Sequence, residues 1–293
     1  YDKETNTFTH YRHDPTNDNS LASDTFFDIS GNSIIEDNAG YLWLGTQNGL
    51  DKFDKERETF THYQHDPDNP HSLLNNGVRA VLEAQHGQIW VALQDSGFCQ
   101  LVDQEKGSFT CYQHSPDDLN SLSSNEVQTL LEDKAGFIWI GTANAVLSKF
   151  DPQTSRFTHY MHDPDNPDET IPANMAIRVL VAVSSGELLL GGGVSGGGLI
   201  VFDPQTEKFV TYQNDPQNKN SLSDNVVSSI FEDQQGIIWI MHTSGKISKV
   251  DQNTQKFSQV KMQDADDPNI LWFATPTGGL NKYNRTTESW VRY

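Results

Sequence analysis

Ten histidines, forty acidic residues and two cysteines are the groups in this chain that could ligate a metal, move a proton or form a covalent link. Seven of the histidines (His10, His13, His62, His65, His114, His159 and His162) fall in a recurring HY-x-HDP motif. A residue that recurs once per unit is spread along a repeat array, whereas a metal site needs its ligands within about 2 Å of one ion. These seven are therefore expected to be structural, and no metal or cofactor is expected. His71, His86 and His242 stand outside the motif. The acids divide in the same way: Glu-Asp pairs recur before Gly turns and Asp-Pro recurs in the links, as turn formers and surface charge, so no unique pair is set aside for acid–base work. DPDNPD at 163–168 alternates oxygen ligands, yet it lacks the glycine and terminal Glu of a calcium loop and reads as a solvated turn. GGGVSGGG at 191–198 has no following Lys-Ser/Thr and opens no helix, so it reads as an enlarged, flexible turn and not a phosphate loop.

The cysteines, Cys99 and Cys111, flank the polar turn 103–108. A hairpin there would put them on facing strands. Both a bridge and two free thiols are open, and buried free thiols are the preferred expectation.

The elements that must position these groups follow from an internal repeat. YLWLGT, QIWVAL, FIWIGT, ELLLGG, IIWIMH and ILWFAT share a template anchored at Trp43, Trp90, Trp139, Leu189, Trp239 and Trp272. The intervals are 47, 49, 50, 50 and 33 residues. Around Trp139 the order of signals is an apolar segment 127–131, a Glu-Asp-x-x-Gly turn, a second segment 137–141, a third at 146–150, an Asp-Pro turn, and a fourth ending at Tyr160. These are four short strands joined by turn chemistry, followed by an Asp/Asn/Pro-rich link that cannot continue a strand. Such units lack a core of their own and must bury their faces against neighbours. The expected fold is all-β, a β-propeller of four-stranded antiparallel blades, six to seven in number with incomplete terminal blades. It is expected as a single domain over 1–293, with units near 1–12, 20–63, 72–112, 121–160, 171–212, 221–260 and 270–293. The chain opens inside a repeat and is read as a piece of a longer protein. Its last unit lacks a first strand, which is read as residues missing between Asp267 and Ile270.

The pattern SLSSN-V-L-ED-G-IWIGT-L-KFD-F-HY-HDP resembles the two-component regulator propeller repeat over essentially the whole chain. That resemblance implies the extracytoplasmic sensor region of a membrane signalling receptor whose output is a histidine kinase, hybrid regulator or diguanylate cyclase. It also implies a periplasmic location, an extracellular small molecule or oligosaccharide as partner, and a second receptor copy as a further partner. This chain carries no output domain, so no enzyme activity is expected of it.

A formal charge of −20 argues against nucleic acid and against anionic membrane as partners. No stretch approaches the roughly 20 apolar residues of a membrane helix, so no direct membrane insertion is expected. Five of the six tryptophans sit at repeat anchors, with Trp290 at a fourth-strand aromatic position, and all are expected in the core.

A ligand site is best sought where the repeat varies on one face. Turns between second and third strands would share a rim with the links, which gathers Gln47, Asn48, Gln94, Asp95, Asn144, His242 and Thr243. Aligning the first strands places Asn32, Arg79, Gln128, Arg178 and Ser228 at one equivalent, variable position. Arg79 and Arg178 there could hold a carboxylate or sulfate. Two further readings are a lyase or glycan hydrolase using His242, and an interaction or dimerisation spacer.

Overall fold

The computed structural model describes residues 7–27, 33–166, 170–173, 175–192 and 196–251, with the last strands, from 256 onward, described by backbone alone. Asn32, the middle of the glycine run, the gap before Ile270 and the side chains of Trp272 and Trp290 lie outside the described residues.

The chain is all-β. Its strands form antiparallel sheets in strict sequence order: β1 to β4 (Ile34–Glu36, Leu42–Thr46, Gly49–Asp54, Thr59–Tyr63), β5 to β8 (Val78–Ala84, Gln88–Leu93, Gly97–Asp103, Ser108–Tyr112) and β9 to β12 (Val127–Glu132, Ile138–Thr142, Leu147–Asp151, Arg156–Tyr160). They continue with β13 to β16 (Val179–Ala182, Leu188–Gly191, Leu199–Asp203, Lys208–Tyr212) and β17 to β20 (Val227–Glu232, Ile237–His242, Ile247–Asp251, Lys256–Gln259). A three-stranded sheet, β21 to β23 (Ile270–Thr275, Gly279–Asn284, Ser289–Arg292), closes the described residues. The four-stranded sheets are blades of the β-propeller class, and the strands around Trp139 lie within a residue of those read from the repeat. Two compact parts are distinguished, residues 1–140 with 149–158, and 141–148 with 159–293.

Each blade is built around its anchor. Trp43, Trp90, Trp139 and Trp239 are fully or almost fully buried, as expected. Three of them donate the indole N–H to the Asp of the Glu-Asp pair: Trp43 to Asp37 at 2.7 Å, Trp139 to Asp133 at 2.7 Å and Trp239 to Asp233 at 2.8 Å. The other carboxylate oxygen of each Asp accepts the N–H groups of the turn, as when Asp133 Oδ1 accepts from Ala135 and Phe137. These acids are therefore more than turn formers or surface charge; they satisfy a donor that burial would otherwise strand. The second blade shows the consequence of losing the Asp. Ala84 stands in its place, the turn becomes a single 3-10 turn at Gln85–Gly87, and Trp90 Nε1 is buried without a hydrogen-bond partner. In the fourth blade both members change, to Val183 and Leu189, and no donor needs satisfying.

The Glu of the same pair ties neighbouring blades. Glu83 accepts from the Asn38 N–H, Glu132 from Gln85 and Glu232 from Ser184, each reaching the first hairpin of the preceding blade. Gly45, the glycine of the anchor strand, has no room for a side chain: a Cβ there would lie 2.8 Å from Val78 Cγ1 of the next blade.

The links are ordered by the histidines that the repeat set aside as structural. Nδ1 of His13, His65, His114 and His162 faces the carbonyl of Leu21, Leu73, Leu122 and Ile171, respectively, eight or nine residues on. A carbonyl only accepts, so Nδ1 carries the proton in each. Asn214 takes the same place in the next link and donates Nδ2 to Leu222 O.

The expectation of free thiols is corrected. Cys99 and Cys111 are direct cross-strand partners in β7 and β8 and are joined by a disulfide, with Cα atoms 4.0 Å apart. Antiparallel register, which spacing alone left open, puts the two sulfurs on one face within bonding reach.

Candidate functional site

The turns between second and third strands do meet the links. Gln47 donates its backbone N–H to Thr25 O, Gln94 to Gly77 O and Thr243 to Val226 O. Two of the side chains singled out there are occupied by hydrogen bonds within the protein. Asn48 donates Nδ2 to Ala22 O at 3.1 Å, and Asn144 Oδ1 accepts from Thr142 Oγ1 at 2.6 Å. Gln47 and Asp95 are exposed, Asp95 with a left-handed φ of 52°.

His242 ends β18 in the place that Thr46 and Thr142 hold in their blades. It is 1% exposed, and its Nε2 meets Ser248 Oγ at 3.0 Å. Burial depresses its pKa to about 4, although Asp224 pulls the other way. It is neutral near pH 7 and closed off from solvent.

The equivalent first-strand position contains a feature that the sequence did not reveal. In β5 the ladder skips from Val78–Leu93 to Ala80–Ala92, and in β17 from Val227–His242 to Ser229–Met241. Arg79 and Ser228 are thus the extra residues of β-bulges, which redirect a side chain away from the regular alternation. Ser228 Oγ is buried without a partner. Arg178 lies just before β13, where its N–H bonds Gly191 O.

Arg79 is the centre of the one cluster of these candidates that the structure brings together in the first compact part. Its guanidinium carbon lies 5.1 Å from the Phe27 ring centroid, and Nη1 is 3.5 Å from Gln128 Oε1, at the limit of a hydrogen bond. Its Nε is buried without a partner. No carboxylate pairs with it among the described residues, whose ion pairs are Lys55–Glu36, Arg57–Asp54, His62–Asp51 and Lys106–Asp103. Gly77 makes the assembly fit: a Cβ there would meet Gln94 Cβ at 2.9 Å and Phe27 Cζ at 3.0 Å. Arg79, Gln94, Gln128 and Phe27 therefore form one polar and aromatic group around a half-buried cation that has no ion-pair partner among the described residues. Phe27 was missed. The available signal was length, because Leu21 to Glu36 spans 15 residues where Leu73 to Glu83 spans 10.

An open groove of about 620 Å³ lies between the first two blades, lined by Asp37, Tyr41, Lys52, Glu83, His86 and Gln104. Its acids are already engaged by Trp43 and Asn38, and Lys52 by Gln104 and the Tyr41 ring. Among the described residues, no group of three or more His, Cys, Asp or Glu could hold a metal ion.

The profile of the two component regulator propeller family matches residues 121–144 and 221–243. These two segments are similar to two-component regulator propeller repeats. No curated protein sequence matches the chain. Among solved structures, the extracellular domain of the hybrid two component system BT3049 from B. thetaiotaomicron is similar, at TM-score 0.69 and 24% identity over 90% of this chain. This chain spans 35% of that one. PorZ, a surface component of the type-IX secretion system of Porphyromonas gingivalis, gives TM-score 0.67 and 13% identity over 94% of this chain and 42% of its own. Virginiamycin B lyase from Staphylococcus aureus gives TM-score 0.62 and 14% identity, covering 91% of this chain and 85% of its own. These likenesses establish the fold. The two matched propeller repeats contain the Asp133–Trp139 and Asp233–Trp239 pairs, and also the variable positions Gln128 and Ser228.

Proposed function

We propose that this propeller is a ligand-sensing module in the extracytoplasmic part of a membrane signalling receptor, taking an extracellular oligosaccharide or other small molecule at the Arg79 cluster. The regulator-propeller repeats and the likeness to the extracellular domain of a hybrid two component system support the setting. A disulfide between Cys99 and Cys111 suits an oxidising compartment such as the periplasm.

The observation that carries the ligand site is Arg79: a guanidinium resting on Phe27, with Nε unsatisfied and no carboxylate paired with it among the described residues, in a chain of net charge −20. A desolvated donor without a partner is costly, and a ligand oxygen would satisfy it. The flat fork suits a carboxylate or sulfate, so an acidic sugar fits best. Gln94 and Gln128 offer both donors and acceptors for hydroxyl groups.

The test is a thermal-shift screen against acidic and neutral oligosaccharides. A ligand bound only by the folded form stabilises by roughly 2.7 kcal/mol at a hundredfold excess over Kd. A saturable shift with an acidic sugar, lost in Arg79→Ala and weakened in Arg79→Lys, is expected. The absence of any shift across the panel would move the function to an interaction or spacer module.

A second reading takes the propeller as a lyase or glycan hydrolase using His242, on a fold shared with virginiamycin B lyase. A general base must reach its substrate. The burial of His242 and its bond to Ser248 weigh against that role. Turnover of a polysaccharide, abolished by His242→Ala, would restore it.

A further inference from the structure

We propose that Asp51 and His62 form a proton-operated clamp that positions the link carrying Phe27, and through it the Arg79 site. The proposal rests on the reading of Arg79 as the ligand site only for its functional consequence; the clamp stands on its own geometry.

His62 Nδ1 lies 2.7 Å from Asp51 Oδ1, and its Nε2 lies 2.8 Å from Asp18 O. Both partners are acceptors, so both nitrogens must donate, and the geometry calls for imidazolium against carboxylate. A neutral ring could keep one of these bonds but not both, unless Asp51 took up the proton. Asp51 is wholly buried, and its second oxygen accepts from the Ala22 N–H at 2.8 Å. One charge pair therefore grips the link at Asp18 and at Ala22.

From Ala22 the grip extends toward the site. Asn48 Nδ2 holds Ala22 O, Gln47 N–H holds Thr25 O, and two residues on Phe27 lies under Arg79. The corresponding cross-strand positions elsewhere need no proton. Ser148 Oγ faces His159 Nδ1 at 2.9 Å, and a hydroxyl can donate or accept to suit either tautomer. In the second blade the position is the disulfide.

The groups facing His62 are Asp51 from β3 and Asp18 from the link, with the uncharged Phe60 ring stacked at 6.2 Å. The hydrogen bond that His62 donates to Asp51 raises the His62 pKa above the ordinary 6.5, against burial, which lowers it. The clamp is then fully closed below the unfolded value and is lost as pH rises through the raised folded one. Once the proton leaves, the ring keeps one of its two bonds, so either the link is let go at Asp18 or the buried Asp51 carboxylate is left with only the Ala22 N–H, and the grip on the link weakens either way.

The experiment follows the His62 ring and the Ala22 and Phe27 amides by NMR from pH 5.5 to 9.5 in the ligand-free protein. The expected result is one shared midpoint above 6.5, absent at both amides in His62→Gln and displaced in Asp51→Asn. A His62 midpoint at or below 6.5, or Ala22 and Phe27 signals that ignore it, would overturn the clamp. A parallel titration with glucuronate at pH 6 and pH 9 should show binding weaker by severalfold at the higher pH in the wild type and pH-independent binding in His62→Gln. Failure of glucuronate to bind at any pH would count against the Arg79 ligand site, while the clamp would still stand or fall on the NMR midpoints.

Discussion

Cys99 and Cys111 are joined across β7 and β8 at the register position that Asp51 and His62 hold across β3 and β4. One geometric slot is filled by a covalent bond in one blade and an ion pair in the preceding blade. In later blades the slot holds Ser148 with His159, then Ile200 opposite Thr211. In the first three blades the slot ties the outer hairpin together, and the chemistry of the tie varies.

The disulfide closes a short loop, with a sequence separation of 12. Chain-entropy arithmetic for such a loop gives about 3 kcal/mol of stabilisation. Reduction, or a Cys99→Ala/Cys111→Ala double variant, should lower the urea midpoint accordingly. An unchanged midpoint in both would show that the bridge is dispensable.

Trp139 and Trp90 should respond differently to loss of the indole N–H. In Trp139→Phe the half-buried Asp133 loses the donor at its Oδ2, whereas Trp90→Phe removes a donor that has no partner. The first should cost about 1 to 2 kcal/mol more than the second. Equal costs in chemical denaturation would contradict the role given to the Asp.

His242 makes the fold acid-sensitive. Its folded pKa is lowered to about 4 from 6.5, so between those values the unfolded chain binds the proton first. Stability is full above about pH 6.5 and declines as pH falls toward 4, by on the order of 3 kcal/mol at the limit. His242→Thr, the residue of the first and third blades, should flatten that decline in urea titrations at pH 7, 6, 5 and 4.5. A decline as steep as the wild type's would assign the acid sensitivity elsewhere.

Gly45→Ala should be severe for its size. The added methyl would meet both Val78 Cγ1 and the Val78 carbonyl, at 2.8 and 2.9 Å, and backbone cannot yield cheaply. Gly40→Ala meets nothing within 4 Å and bears only the strain of its φ of 88°. The first variant should lose roughly 2 kcal/mol or more through overpacking and the second about 1. The ranking is checked by thermal melts, and a reversed order would mean that the blades separate easily.

The amino-acid sequence by itself determined the blade. Each anchor, turn and link recurs at a near-constant interval, so alternation and turn chemistry fixed the strands, and periodicity identified His13, His65 and His114 as structural before any contact was known. It also made the four buried tryptophans core residues. What it could not determine depends on register and on which side chains converge. Spacing allowed Cys99 and Cys111 to pair or remain free, and only the direct cross-strand partnership of β7 with β8 decided it. The alignment that grouped Arg79 with Ser228 could not show that both occupy bulges, because a bulge is a slip between two strands and leaves no mark in one of them. Phe27 belongs to an insertion outside the repeat, so periodicity was silent about it. Tertiary packing alone placed its ring under Arg79, with Gly77 leaving the space, and set an acceptor against each nitrogen of His62.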